Sequence, residues 1–194
     1  MANEVLIQDV AGSSLDQICF AVSGSLSPAD SGTDMRIGTP TYVALTLAGV
    51  ANAAGRQSAK CDFGAVRARK YALFGCVDYT GETPVAGQYI DYYWAPSTHA
   101  TAGNGNIAGN SGGDADAPDG AIGSITLAEF KGLCIPIGRM KIHDGACVQN
   151  GFVGYLYPPT RYGQLLVINE GDDTFEDDDV EMHQVLCPVV DEIQ

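Results

Sequence analysis

The sequence predicts an all-β protein, an antiparallel β-sandwich of jelly-roll type that carries one long Gly/Asn/Asp loop. Charged residues make up only 18% of the 194 positions, below the roughly 25% typical of soluble domains. Glycine is abundant at 24 residues, with 9 prolines between short apolar runs. No run keeps a helical period beyond one or two turns, and about eight short runs separated by turn residues suit two packed sheets. Hydrophobic residues make up 45%, enough for a core and too many for wholesale disorder.

Residues 1–38 read as an N-terminal lead, either an arm that orders on a neighbouring subunit or edge strands of the same domain. Val5-Leu6-Ile7 and residues 18–22 are its apolar runs, and residues 23–33 have loop composition. Residues 39–194 read as the β-sandwich domain. Val43, Leu45 and Leu47 alternate and predict a strand. Residues 63–70 form a charged, half-buried segment. Residues 71–79 and 88–94 predict two strands joined by a Gly/Pro turn, hence an antiparallel pair. In the second strand, Ile90, Tyr92 and Trp94 share one face.

Residues 96–120 contain no clear strand, and a structureless stretch of this length marks a functional or mobile loop. Residues 121–130 are open between a strand and a short helix. Residues 134–142 read as a strand interrupted by Pro136. Asp144-Gly145 and Asn150-Gly151 are turn dipeptides. Residues 152–157 form a strand ending at Pro158-Pro159. Leu165-Leu166-Val167-Ile168 is continuously apolar, as in a strand covered on both faces. Residues 180–190 predict the last strand.

Ten basic residues face 24 acidic ones, a net charge of −14. Such a surface repels phosphate backbones and anionic membranes, so neither nucleic acid nor membrane is an expected partner. The first residues have no basic stretch followed by an apolar one, so the expectation is a chain made and kept in a cytoplasm. The six cysteines, at 19, 61, 76, 134, 147 and 187, have uneven spacing. They are expected to be reduced and buried.

Asp114, Asp116 and Asp119 lie in the Gly/Asn-rich loop. Close carboxylates can hold calcium, but the spacing departs from the EF-hand, and the same residues are plain turn formers. Asp172, Asp173, Glu176, Asp177, Asp178 and Asp179 form an acidic patch before the last strand. It reads as a hydrated hairpin tip; as a subunit contact, Asp172, Asp173, Asp177 and Asp178 would dock a basic groove. His99, His143 and His183 fit no zinc spacing, and no nucleophile elbow, phosphate loop or dinucleotide fingerprint is present. No cofactor is therefore expected. Tyr89, Tyr92, Tyr93 and Trp94 fit core packing, with a sugar-stacking platform as the alternative.

Ala54-Gly55-Arg56-Gln57-Ser58 precedes an apolar strand, and Gln88-Tyr89-Ile90-Asp91-Tyr92-Tyr93-Trp94 precedes the long polar loop. Pro159-Thr160-Arg161-Tyr162-Gly163-Gln164-Leu165-Leu166-Val167-Ile168-Asn169 leads to the acidic patch and the final strand. In this order of segments, residues 40–190 resemble virion structural proteins of tailed bacteriophages. The cysteines and the loop at 96–120 depart from that pattern. The resemblance implies a non-enzymatic protein of the virion's outer surface. Its implied role is capsid decoration or cement, with the major capsid protein and copies of itself as partners. A tail, collar or fibre-base component and a carbohydrate-binding module are the alternative expectations.

Overall fold

The computed structural model describes residues 17–22, 26–28, 32–65, 67–120, 123–143 and 145–189. They form strands β1 (Ile18–Ala21), β2 (Thr41–Ala44), β3 (Gly55–Gln57), β4 (Cys61–Asp62), β5 (Lys70–Asp78), β6 (Tyr89–Ser97), β7 (Ala115–Ala117), β8 (Ile135–Lys141), β9 (Val148–Leu156), β10 (Tyr162–Glu170) and β11 (His183–Val189). A short helix, α1 (Leu127–Leu133), follows β7. The all-β class is as expected. Val5-Leu6-Ile7, Asp144 and Val190 lie outside the described residues.

The strands form one curled sheet in the order β2-β1-β11-β5-β9-β8-β6-β10-β3-β7, with β4 also on β10. This replaces the two hydrogen-bonded sheets expected of a sandwich. The sheet is mixed, because β1 and β2 pair in parallel. Residues 22–40 supply the long connection that a parallel pair requires. β1 belongs to the lead assigned to residues 1–38, yet it lies inside the sheet between β2 and β11.

β8 and β9 join at a single register pair, Gly138 with Gly154. A Cβ at either position would collide with the backbone of the facing strand, so glycine permits this close approach. The five strands from β2 to β9 lie on one side of the joint, and the rest lie on the other. Both parts supply one core. Phe20, Tyr71, Leu73, Val77 and Leu186 meet Ile90, Tyr92, Trp94, Leu165 and Val167 there. Phe63 lies 4.9 Å from Tyr71 and 5.1 Å from Trp94, ring to ring.

The expected β5–β6 hairpin does not form. β5 pairs with β9 and β11, whereas β6 pairs with β8 and β10. Each strand is buried along most of its length and contributes to the shared core, so the Gly/Pro connection passes between the two parts of the sheet. Asn150-Gly151 is no turn; it lies within β9, opposite Cys76 and Gly75. β10 is buried at every position between its two ends, as its apolar run predicts.

Two smaller clusters cover parts of the sheet's outer face. α1 places Phe130 over Ala95, Leu166 and Ile168. Leu26, Met35 and Cys187 pack against Cys19, Ala21 and Val185. The helix starts where Thr126 and Glu129 form a reciprocal capping box. That Thr-x-x-Glu spacing is the sequence signal for a helix that begins at Leu127, within the stretch left open between strand and helix.

Candidate functional site

Between the two covered areas, β9 exposes aromatic side chains beside the half-buried Phe74 of β5. Phe74 from β5 meets Phe152 from β9 at 5.5 Å between ring centres. Phe152 in turn meets Tyr155 at 5.1 Å. Phe152 and Tyr155 are each 48% exposed, and Tyr157 just beyond the strand is 63% exposed. Strict alternation would put residues 152 and 155 on opposite faces. The β5–β9 register shifts between Leu73 and Phe74, where Phe152 and Gly154 oppose consecutive residues. The extra residue, Val153, turns into the core, and both aromatics face outward.

The strip ends in positive charge. Lys70 Nζ lies 3.7 Å from the Tyr155 ring centre and 5.9 Å from that of Tyr157. Arg69 and Arg67 precede Lys70 in the chain. These are three of the protein's ten basic residues. Among the described residues, no carboxylate forms an ion pair with any of the three, whereas Arg36, Arg56, Lys131, Arg139 and Arg161 all have one. The sequence shows the cluster directly. It hides the aromatic strip, because the register shift arises only on pairing.

The predicted Asp loop serves a structural purpose. Asp114 accepts hydrogen bonds from Thr46 N (3.1 Å), Thr46 Oγ1 (2.6 Å) and Arg56 Nε (3.0 Å). Thr46 follows β2 and Asp114 precedes β7, the two ends of the strand order. This carboxylate therefore ties the sheet's edges together, helped by the bond from Ala59 N to Ala44 O. Asp116 pairs with Arg56 at 2.9 Å, and Asp119 accepts from Ser111 Oγ. Among the described residues, no group of three or more His, Cys, Asp or Glu side chains could hold a metal ion.

The stretch at 96–120 is tied down rather than structureless. Lys60 Nζ donates to the carbonyls of His99 (3.0 Å), Thr101 (2.7 Å) and Asn104 (2.8 Å). Loss of surrounding water lowers its pKa.

The acidic patch is no hairpin tip, since β10 and β11 do not pair. It crosses the end of the sheet, and Phe175 anchors it. Phe175 is fully buried, with its ring 5.2 Å from Tyr79. Asn169 Nδ2 donates to Asp173 O (2.7 Å) and Val50 O (2.8 Å). The backbone N–H groups of Thr83 and Thr174 hold Asp173 below the usual carboxylate range. Asp172 lies within reach of Asn52, and Asp178 accepts from Val180 N. Asp177 and Asp178 are exposed. Glu82 is pushed up by loss of water and by Asp173, Glu176 and Asp177.

Tyr92 and Trp94 are fully buried, as core residues. A second polar feature lies near the helix, where Gln88, Tyr89, Asp91, Lys131, Arg139 and Glu170 line a recess. Asp91 is nearly buried and pairs with Arg139 at 2.7 Å, and Lys131 lies 3.5 Å from Glu170. Its charges balance, two against two. His183, packed under residues 32–37, accepts from Met35 N at 3.1 Å. Cys19, Cys61, Cys76 and Cys134 are buried thiols. Burial pushes Cys19, Cys76 and Cys134 up to about 12.

No protein-family model matches the chain, and no curated protein or solved structure matches it. The fold and this site define an all-β protein with a solvent-facing aromatic strip that Lys70 borders.

Proposed function

We propose that the protein is a non-enzymatic virion component that binds the outside of a bacteriophage capsid as a decoration or cement protein. The carrying observation is the open strip of Phe74, Phe152, Tyr155 and Tyr157 with Lys70 at its end. Exposed aromatics beside a long cation are typical anchors of protein contacts. The order of segments in residues 40–190 supports the virion class, and the net charge of −14 suits a surface directed away from packaged DNA. The major capsid protein is the proposed partner.

A sugar platform fits the strip less well. The Phe74–Phe152 and Phe152–Tyr155 rings meet at interplanar angles of 64° and 63°, and Lys70 covers the face of Tyr155. Stacking on sugars needs open ring faces. Immunogold labelling of sedimented particles tests the proposal. Label over the heads is expected, and replacing Phe152 and Tyr155 by Ser should reduce it at least about tenfold. Label confined to tails or collars would assign the protein to those parts. Unlabelled particles together with binding in a glycan screen would overturn the virion reading.

A further inference from the structure

We propose that the basic aromatic strip of one copy receives the acidic segment at residues 172–178 of a second copy, joining copies head to tail. This rests on the strip being a protein-docking surface, as read above, and it names one occupant.

The two surfaces lie at opposite ends of the same strand. Lys70 begins β5 and Asp78 ends it; eight residue steps span about 26 Å. At the far end, Glu176 N donates to Asp78 O at 3.0 Å, and Asp173 accepts from Thr83 N at 2.8 Å. One copy therefore cannot bring its own acidic segment onto its own strip. A second copy translated along the strand direction can. Copies related in this way repeat the same contact, so it builds an open row, or a ring where a rotation closes it.

The chemistry of the two surfaces is complementary. Arg69 is exposed and Arg67 and Lys70 are half-buried, and none of the three has a carboxylate partner among the described residues, on a chain with 24 acidic residues. The opposite end carries Glu82, Asp172, Asp173, Glu176, Asp177 and Asp178. The segment is already held in shape by buried Phe175 and by Asn169, so docking orders little new chain. Val85, 47% exposed and bonded through its N–H to Gly171, adds an apolar neighbour for Phe152 and Tyr155. Net repulsion between copies is screened beyond about 8 Å at physiological salt, which leaves the local contact in control.

Sedimentation velocity over a concentration series tests the contact. The wild-type chain should grow in size with concentration. R69E/K70E and D177K/D178K should each weaken association at least about tenfold. An equal mixture of the two variants should restore it, because each reversed surface then meets its opposite. A reversed strip that unfolds the chain, judged by Trp94 fluorescence, is replaced by R67E/R69E, which leaves β5 untouched. A monomeric wild-type chain, a reversed variant that associates normally, or a mixture that stays apart overturns the proposal. Growth that begins only after residues 190–194 are deleted would make an acidic stretch of the same copy the occupant, and would overturn it too. These arms contain no particles, so their failure is separate from failure of particle labelling.

Discussion

Asp114 concentrates three hydrogen bonds on one carboxylate at the seam between the sheet's edges. Its side chain is 17% exposed and that of Arg56 20%, so removing it strips both Thr46 donors of their acceptor and leaves the largely desolvated Arg56 with the exposed Asp116 alone. Asp114→Ala should cost about 3 kcal/mol in urea unfolding. Calcium and chelators should leave the wild-type midpoint in place. His183 carries a second residue-scale prediction. Its ring is buried, donates from Nδ1 to Glu181 O and accepts from Met35 N at Nε2. Burial lowers its pKa from 6.5, and Asp34 and Arg36 nearby act in opposite directions. The unfolded chain then takes up a proton that the folded chain refuses. Stability from this group is full above about pH 6.5 and is lost as pH falls through the lowered value. Unfolding midpoints at about pH 7.5 and about pH 5.5 should therefore differ less in His183→Gln than in the wild type.

At the scale of elements, close approaches decide which strands meet. Gly163 of β10 pairs with Pro96 of β6, and a Cβ there would enter the Trp94 indole. That indole is fully buried against Phe63 and Phe20 and has no room to retreat. Gly163→Ala should destabilise the fold by about 2 kcal/mol through overpacking, read in the same urea titration. Most strands were legible as apolar runs, β10 above all. Their partners were not. The turn between β5 and β6 looks like a hairpin connection, and Asn150-Gly151 looks like a turn, yet pairing with β9 and β11 overrides both local signals. The aromatic strip was hidden for the same reason, since alternation without the shift at Leu73 and Phe74 places residues 152 and 155 on opposite faces.

For the whole molecule, one core spans both parts of the curled sheet. At the β8–β9 joint the two parts share a single glycine pair, and Asp114 and Ala44 add hydrogen bonds between the outer edges, so the common core supplies most of what holds them together. Unfolding should therefore be a single cooperative step. Trp94 is the protein's one tryptophan and sits in that core. Its fluorescence and the far-UV circular dichroism should give coincident urea transitions, and separated midpoints would contradict a shared core. Charge is also arranged at this scale. Arg67, Arg69 and Lys70 lie at one end of β5 and the acidic segment at the other, a polarity that the total of −14 conceals.

By itself, the sequence determined the all-β class, the shared face of Ile90, Tyr92 and Trp94, the charged stretch at residues 63–70 and the acidic cluster before the last strand. Those properties depend on composition and local periodicity, which are written along the chain. Only the tertiary structure decided that the strands form one mixed sheet, that Asp114 joins its edges and that Phe152 and Tyr155 share a face. Each of these depends on which distant segments pair and in what register. That choice follows from how the apolar faces fill a common core, and no short stretch of sequence contains it.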